Sequence, residues 1–499
     1  MAHQHHLFDP QPREDAAPAP AQRAPKPSPV PAAATPAQRY AATRALSEAL
    51  AAPLSDADAT IQSMPDASPT KWHLAHTTWF FETFLLRDHV PGYRLYREDW
   101  PFLFNSYYEA EGARLARASR GLLSRPALAE IREWRAHVDE AMASLLARAG
   151  EDAAIASLVA LGIAHEQQHQ ELLLTDIKHA LAQNPLGPAM WPAAPANAAS
   201  PGSSEKNGPA SARRASKARS SATGAAPASR ASAASSTANA PPAPSANAAA
   251  RPATSPSGWI EHVGGIAQIG HGGSSADSFA FDNEGPAHRV LLEPFAFRSR
   301  LVTNGEWAEF IADGGYRTAS LWLSDGWDWV QRKHIAAPLY WREDEHFTHA
   351  GWQKRDPDAP VAHISYFEAD AFAAWAGCRL PTEFEWEEAA RGSDPAAGNQ
   401  LDGPHSWAGE GAAPPLPRGT SELFGDCWQF TRSAYLPYPR FRPARGAVGE
   451  YNGKFMAGQW VLKGASCATP RGHSRATYRN FFYPRQRWQF TGLRLAQDR

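Results

Sequence analysis

The sequence predicts a multidomain chain, with an all-α four-helix bundle in its N-terminal part and an α+β domain in its C-terminal part. Three observations carry this reading. At 499 residues the chain is too long for one hydrophobic core. From residue 41 to residue 181 apolar side chains recur at helical spacing, whereas from residue 258 short apolar runs alternate with Gly, Pro and Trp. Between these regions, residues 192–257 are almost wholly Ala, Ser, Pro, Gly, Asn and Thr with a few basic residues. Such a composition cannot bury enough apolar surface to order itself.

Residues 1–38 are rich in Pro and Ala and read as a disordered tail, in which His3, His5 and His6 count as solvated side chains rather than metal ligands. A first helix is expected over 41–54. Ser68-Pro69-Thr70 is a helix-start signal, and a second helix over 71–88 carries Trp72, Leu74, Ala75, Trp79, Phe80 and Phe84. Pro126 opens a third helix, 126–149, at the position where proline is tolerated. The fourth, 155–181, has Ile155, Leu158, Val159, Ile163, Leu172, Leu173 and Ile177 near a 3.6-residue period and no internal proline. The bundle is thus expected within 39–191 and the second domain within 258–499. Arg213, Arg214, Lys217 and Arg219 of the linker read as charges on a solvated tether. In the second domain, strands are expected at 265–269, 288–292, 295–297, 461–466 and 492–495, and helices at 304–312 and 366–376. Of the eighteen tryptophans, only Trp72, Trp79, Trp100 and Trp134 precede residue 190, so the C-terminal part is a loop-rich fold with aromatic anchors. The acidic, aromatic segment 378–387 reads as structural.

The net charge of -2 gives no electrostatic argument for nucleic acid or a membrane surface. Three cysteines, Cys378, Cys427 and Cys467, are too few for a disulfide framework, which fits a reducing, cytoplasmic setting. No secretory signal and no membrane-spanning run is visible.

The chemistry centres on His165-Glu166-Gln167-Gln168-His169. Two histidines four apart on a helix share one face, and two neutral imidazoles so placed grip one transition metal. The surrounding helix is apolar, and a polar cluster on its buried side needs partners. The second helix supplies His73 and His76 as third imidazoles, either of which is placed to face the fourth helix. Three imidazoles leave coordination positions open for substrate and dioxygen. Imidazole suits iron, zinc and copper alike, so this pattern does not name the metal. The same five residues also match the H-E-x-x-H zinc-hydrolase motif, with Glu166 as base. Glu82 and Glu171 are candidate acceptors for imidazole N–H groups. Tyr107 and Tyr108 lie in a loop between the second and third helices, followed by Arg114, Arg117 and Arg120. A phenol near a metal can donate a proton, and arginine forks match carboxylates, although packing tyrosines and a basic face are equally good readings. In 478–482, Asn480 among aromatics is suited to a ligand pocket or to a turn.

The runs 68–82, 105–108, 165–171, 378–392, 425–431 and 461–496 together resemble the ergothioneine-type sulfoxide synthases, the EgtB family. The resemblance covers nearly all of the chain outside the tail and linker. It implies a DinB-like bundle followed by a formylglycine-generating-enzyme-like domain related to C-type lectins. It further implies a nonheme Fe(II) centre on His76, His165 and His169, with O2 as co-substrate, that joins a thiol to imidazole C2 of hercynine. By the same resemblance Gln168 and Asn480 contact the betaine, Tyr107 and Tyr108 match a tyrosine pair that supplies a proton, and Arg114 and Arg117 bind the sulfur donor's carboxylate. Phe481 and Phe482 stand where members that use gamma-glutamylcysteine have Trp-Asp, so the expected thiol is cysteine or gamma-glutamylcysteine, with the loss of the acid counting against the latter. Related readings are a selenoneine synthase of the same architecture, a DinB-type thiol transferase that needs no oxygen, and a non-catalytic lectin-like binding protein.

Overall fold

A computed structural model of the protein describes residues 34–149, 152–191, 258–273, 279–401, 414–420, 422–443, 449 and 452–499. The expected linker, nearly all of the expected tail and the basic linker residues lie outside the described residues.

Four long helices build the N-terminal lobe: α1 (Pro36–Ala51), α3 (Thr70–Phe81), α5 (Leu128–Ala149) and α6 (Ala153–Ala182). Short helices α2 (Asp56–Thr60) and α4 (Trp100–Phe104) fill the connections. α1 starts earlier than the 41 expected, because Thr35 and Gln38 close a reciprocal capping box around Pro36. The second helix is α-helical only to Phe81; Glu82–Arg87 continue it as a π-helical turn. α6 is capped by Asp152, whose carboxylate accepts from the amides of Ala154 and Ile155. α3 is buried along its whole length, and α1, α5 and α6 pack around it. Gly162 lets α6 come close to α3: a Cβ there would stand 2.5 Å from the Phe81 ring. Trp72, Trp79, Phe80, Phe81, Trp134 and Ile163 form the heart of this core.

The C-terminal lobe is α+β with small sheets. β1 (Trp259–His262), β4 (Phe295–Arg298) and β12 (Ala496–Asp498) form one, in the order β1-β4-β12. β2 (Gly265–Ile269) pairs with β3 (His288–Leu292), and β5 (Trp341–Arg342), β6 (Glu345–Thr348) and β7 (Gly351–Lys354) make a meander. The central sheet has the order β10-β9-β8-β11, from β8 (Trp428–Ala434), β9 (Trp460–Lys463), β10 (Asn480–Phe482) and β11 (Thr491–Gly492). Helices α7 (Asn304–Ala312), α8 (Ser324–Lys333) and α9 (Tyr366–Trp375) share one core with the central sheet, and α10 (Glu383–Ala389) packs through Trp386 in a second core with β2, β3 and β4. The single core strand expected at 492–495 is divided. β11 pairs parallel with β8 and β12 pairs antiparallel with β4, so the chain changes sheets at Leu493–Leu495 while both leucines stay buried. The strand expected over 461–466 ends at Lys463, ahead of Gly464 at φ 97°.

The two lobes pack into one unit. The core of the helical lobe continues into Tyr340, Phe347, Cys467, Trp488 and Phe490 of the C-terminal lobe. No helix among the described residues is long and apolar enough to cross a membrane.

Candidate metal centre and substrate cleft

His165 and His169 project from one face of α6, and His76 meets them from α3. Ring nitrogens of the three lie within 4.8 Å of one another, the one such His/Cys/Asp/Glu group among the described residues. His76 Nε2 is 3.2 Å from His165 Nε2. His76 donates through Nδ1 to the carbonyl of Phe104 at 2.6 Å, which keeps its Nε2 lone pair for the cluster. Trp72 and Trp79, four residues before and three after on the same helix, stack on the His76 ring at 4.7 and 5.5 Å. Phe80 lies 4.9 Å from the His165 ring.

This apolar surround holds all three rings neutral. Burial pushes His165 down to about 4, and burial with neighbouring imidazoles pushes His76 and His169 well below the usual histidine range. His165 Nδ1 is buried without a hydrogen-bond partner among the described residues. Three desolvated imidazoles, each with a ring nitrogen within 4.8 Å of the other two and no carboxylate in the group, fit a divalent transition ion.

His73, the other candidate on α3, is not in this group. Its Nδ1 lies 2.9 Å from His169 Nδ1 and its Nε2 lies 3.1 Å from Asp176. Glu166 does not serve as a base at this centre. Its carboxylate is held by Arg44 at 2.9 Å, Arg135 at 2.9 Å and Ser47 at 2.6 Å, and these partners hold it down at about 2 despite burial. That removes the base from the zinc-hydrolase reading. Glu82 and Glu171 do not accept from imidazoles as expected. Glu82 accepts from Tyr93 and the Tyr96 amide, and Glu171 accepts from Trp428, Ser466 and Thr469. Each carboxylate is taken up by neutral donors from outside the histidine cluster, those of Glu171 coming from the C-terminal lobe.

One residue before His169, Gln168 lines a cleft between the lobes. Its wall carries Glu171, Phe281, Tyr478, Asn480, Phe481 and Phe482. Gln168 donates to the Tyr478 hydroxyl at 2.7 Å. Phe481 stacks on Tyr435 at 4.2 Å. The structure therefore brings Gln168, Asn480, Phe481 and Phe482 together. The tyrosines separate: Tyr108 is buried against Trp79, Phe80 and Phe84, whereas Tyr107 packs edge-on against Phe455 and accepts from Arg117 at 3.3 Å. Arg114 pairs with Glu109 at 2.8 Å.

Two polar groups stand out beyond the predicted set. Arg120 lies buried over the outer face of Trp72, 3.3 Å from the ring centroid, and donates to Ser68 rather than to a carboxylate. Burial and Arg117 lower it to about 9. Gln489 lines the cleft, and its whole amide is without a partner among the described residues. Arg120 was legible as the third member of an arginine series at spacing three. Gln489 carries no sequence signal.

The two lobes correspond to two known domain families. Residues 39–173 match the DinB superfamily, and residues 245–499 match the sulfatase-modifying factor enzyme 1-like domain. The second match spans half the chain, so the protein belongs to the sulfatase-modifying factor enzyme 1-like family, here joined to a helical DinB lobe. Among curated relatives, it is 39% identical over 241 residues to the hercynine oxygenase of Mycobacterium tuberculosis, covering 44% of this chain and 56% of that one. It is 38% identical over 242 residues to the hercynine oxygenase of Mycolicibacterium smegmatis, again 44% and 56%. The inactive C-alpha-formylglycine-generating enzyme 2 of Mus musculus is 32% identical, over 33% of this chain and 67% of that one. The chain thus spans about half the length of the hercynine oxygenases it matches.

Proposed function

We propose that this protein is a nonheme iron(II), O2-dependent sulfoxide synthase that couples a thiol to imidazole C2 of hercynine. The observation that carries the reading is the junction of three neutral imidazoles with an amide- and aromatic-lined cleft, joined through Gln168. His76, His165 and His169 hold the metal. Ferrous iron bound there would supply the redox chemistry with dioxygen and favour the thiolate form of the donor. In the balanced reaction the C2–H and S–H bonds break and the C2–S bond forms. O2 gives one oxygen to the sulfoxide and one to water.

The chain's residues do the positioning. Gln168 and Asn480 orient the betaine, while the rings of Phe481, Phe482 and Tyr478 face a quaternary ammonium. Arg117, with Arg114 beside it, takes the donor's carboxylate, and its bond to Tyr107 sets that phenol next to the sulfur donor. Of the tyrosine pair, one phenol supplies the proton. Phe481 and Phe482 offer no charge to a gamma-glutamyl group, which favours free cysteine. Docking of the lobes keeps water from the reacting atoms.

The test is oxygen uptake by the iron(II)-loaded chain with hercynine and cysteine. One sulfoxide per O2 consumed is expected, and none without hercynine. Coupling without oxygen would make it a thiol transferase, and zinc-supported hydrolysis would make it a hydrolase. Tyr107→Phe and Tyr108→Phe are expected to divert cysteine toward its sulfinic acid in at least one case, read from product ratios.

A further inference from the structure

Asp176 lies seven residues beyond His169 on α6, on the same face, and is buried. Three N–H groups surround its carboxylate. The Ser68 amide donates to Oδ2 at 2.7 Å, the Trp488 indole donates to Oδ1 at 2.9 Å, and His73 Nε2 stands 3.1 Å from Oδ2. The first two are donors only, so the carboxylate is an acceptor throughout and His73 donates from Nε2. Neutral His73 is then an acceptor at Nδ1. His169 Nδ1, 2.9 Å away, must be the donor in that contact. The proton of His169 is therefore fixed on Nδ1, and its lone pair is left on Nε2, the nitrogen free to face His76 and His165.

Resting on the metal-centre reading above, we propose that Asp176 and His73 are positioning residues that set the tautomer of His169, with Trp488 of the C-terminal lobe anchoring the pair. Reversal of the chain of donors would put the His169 lone pair against His73 and a proton against the metal. The pair also fixes the ring plane, since His169 is held at one nitrogen while the other binds. Because Trp488 comes from the other lobe, docking of the lobes and readiness of the metal centre are coupled through four consecutive side chains.

The experiment is an anaerobic iron(II) titration of the metal-free full-length chain against a competing chelator, with thermal unfolding in parallel. His73→Leu is expected to weaken iron binding by about 10–100-fold. His73→Gln offers an amide N–H to Asp176 and an amide oxygen to His169, and is expected to recover most of the affinity. His73→Lys keeps a donor toward Asp176 but offers His169 only a donor, and is expected to bind as weakly as His73→Leu. Should His73→Leu fail to fold, the Gln and Lys variants still decide. Trp488→Phe is expected to weaken binding by a smaller factor at unchanged ligand count. Pulsed EPR of the copper(II)-loaded His73→Gln chain is expected to count three imidazoles, as in the parent. Equal affinity of the Gln and Lys variants overturns the relay, and so does an imidazole count that falls on His73→Gln, which would make His73 a ligand. Failure of the parent to bind iron overturns the metal-centre reading itself and the relay with it.

Discussion

The two faces of α6 bury charge by different means. On the bundle face, Glu166 is met by two guanidinium groups, Arg44 and Arg135, and by Ser47. On the face that meets the C-terminal lobe, the charges find neutral partners. Glu171 accepts from two hydroxyls and an indole, and Lys178 lies 2.7 Å from His363 between the rings of Tyr340 and Phe490. The consequence shows in the direction of the shifts. Glu166 is lowered to about 2, while burial raises Glu171 and lowers Lys178 to about 7. Charge on the bundle face holds the fold. On the lobe face, it is buried among neutral groups of the C-terminal lobe.

The contrast breaks if equivalent substitutions on the two faces have equal effects. The largest expected effect is Arg44→Met, which leaves Glu166 with half its counter-charge and should cost about 3–5 kcal/mol in urea unfolding. Next comes Lys178→Met, expected to stabilise by about 1–4 kcal/mol, because an unpaired buried cation is replaced by an apolar chain. Lys178 also sets a pH slope. Its folded pKa is below its unfolded one, so between about 7 and 10.5 the unfolded chain binds more protons and stability rises with pH. The Met variant should lose that rise, as followed by Tm across this range.

Asn480→Ala tests the cleft rather than the helix. Under the proposed function it should raise KM for hercynine by about tenfold, the worth of one hydrogen bond, with iron affinity unchanged. The smallest expected effect is Glu171→Gln. Its partners are hydroxyls that can rotate and an indole that still finds the amide oxygen, so unfolding should shift by about 1 kcal/mol or less. A loss matching that of Arg44→Met would show that both faces of α6 use charge in the same way.

Much of this was legible in one dimension because it is written in local periodicity. The spacing of His165 and His169, the apolar stripe of the fourth helix and the short runs at 265–269, 288–292 and 304–312 each depend on a few adjacent residues, and each element formed where its pattern lay. Boundaries were less legible where a distant partner decides them. β11 and β12 divide one apolar run because β8 and β4 lie in different sheets.

By itself, then, the sequence determined the two lobes, the helix that carries two of the three histidines and the residue types able to bind a metal. The spacing on the second helix left His73 and His76 equivalent, and the family resemblance favoured His76; tertiary structure shows His76 in the cluster and His73 turned to Asp176. It also decided that Glu166 is spent on two arginines, that Glu171 faces the other lobe, and that Gln489 reaches the cleft. The reason is physical. Helical periodicity specifies which face a side chain occupies, but donor and acceptor roles depend on groups as far away in sequence as Trp488 is from Asp176, and those meet only when the lobes dock.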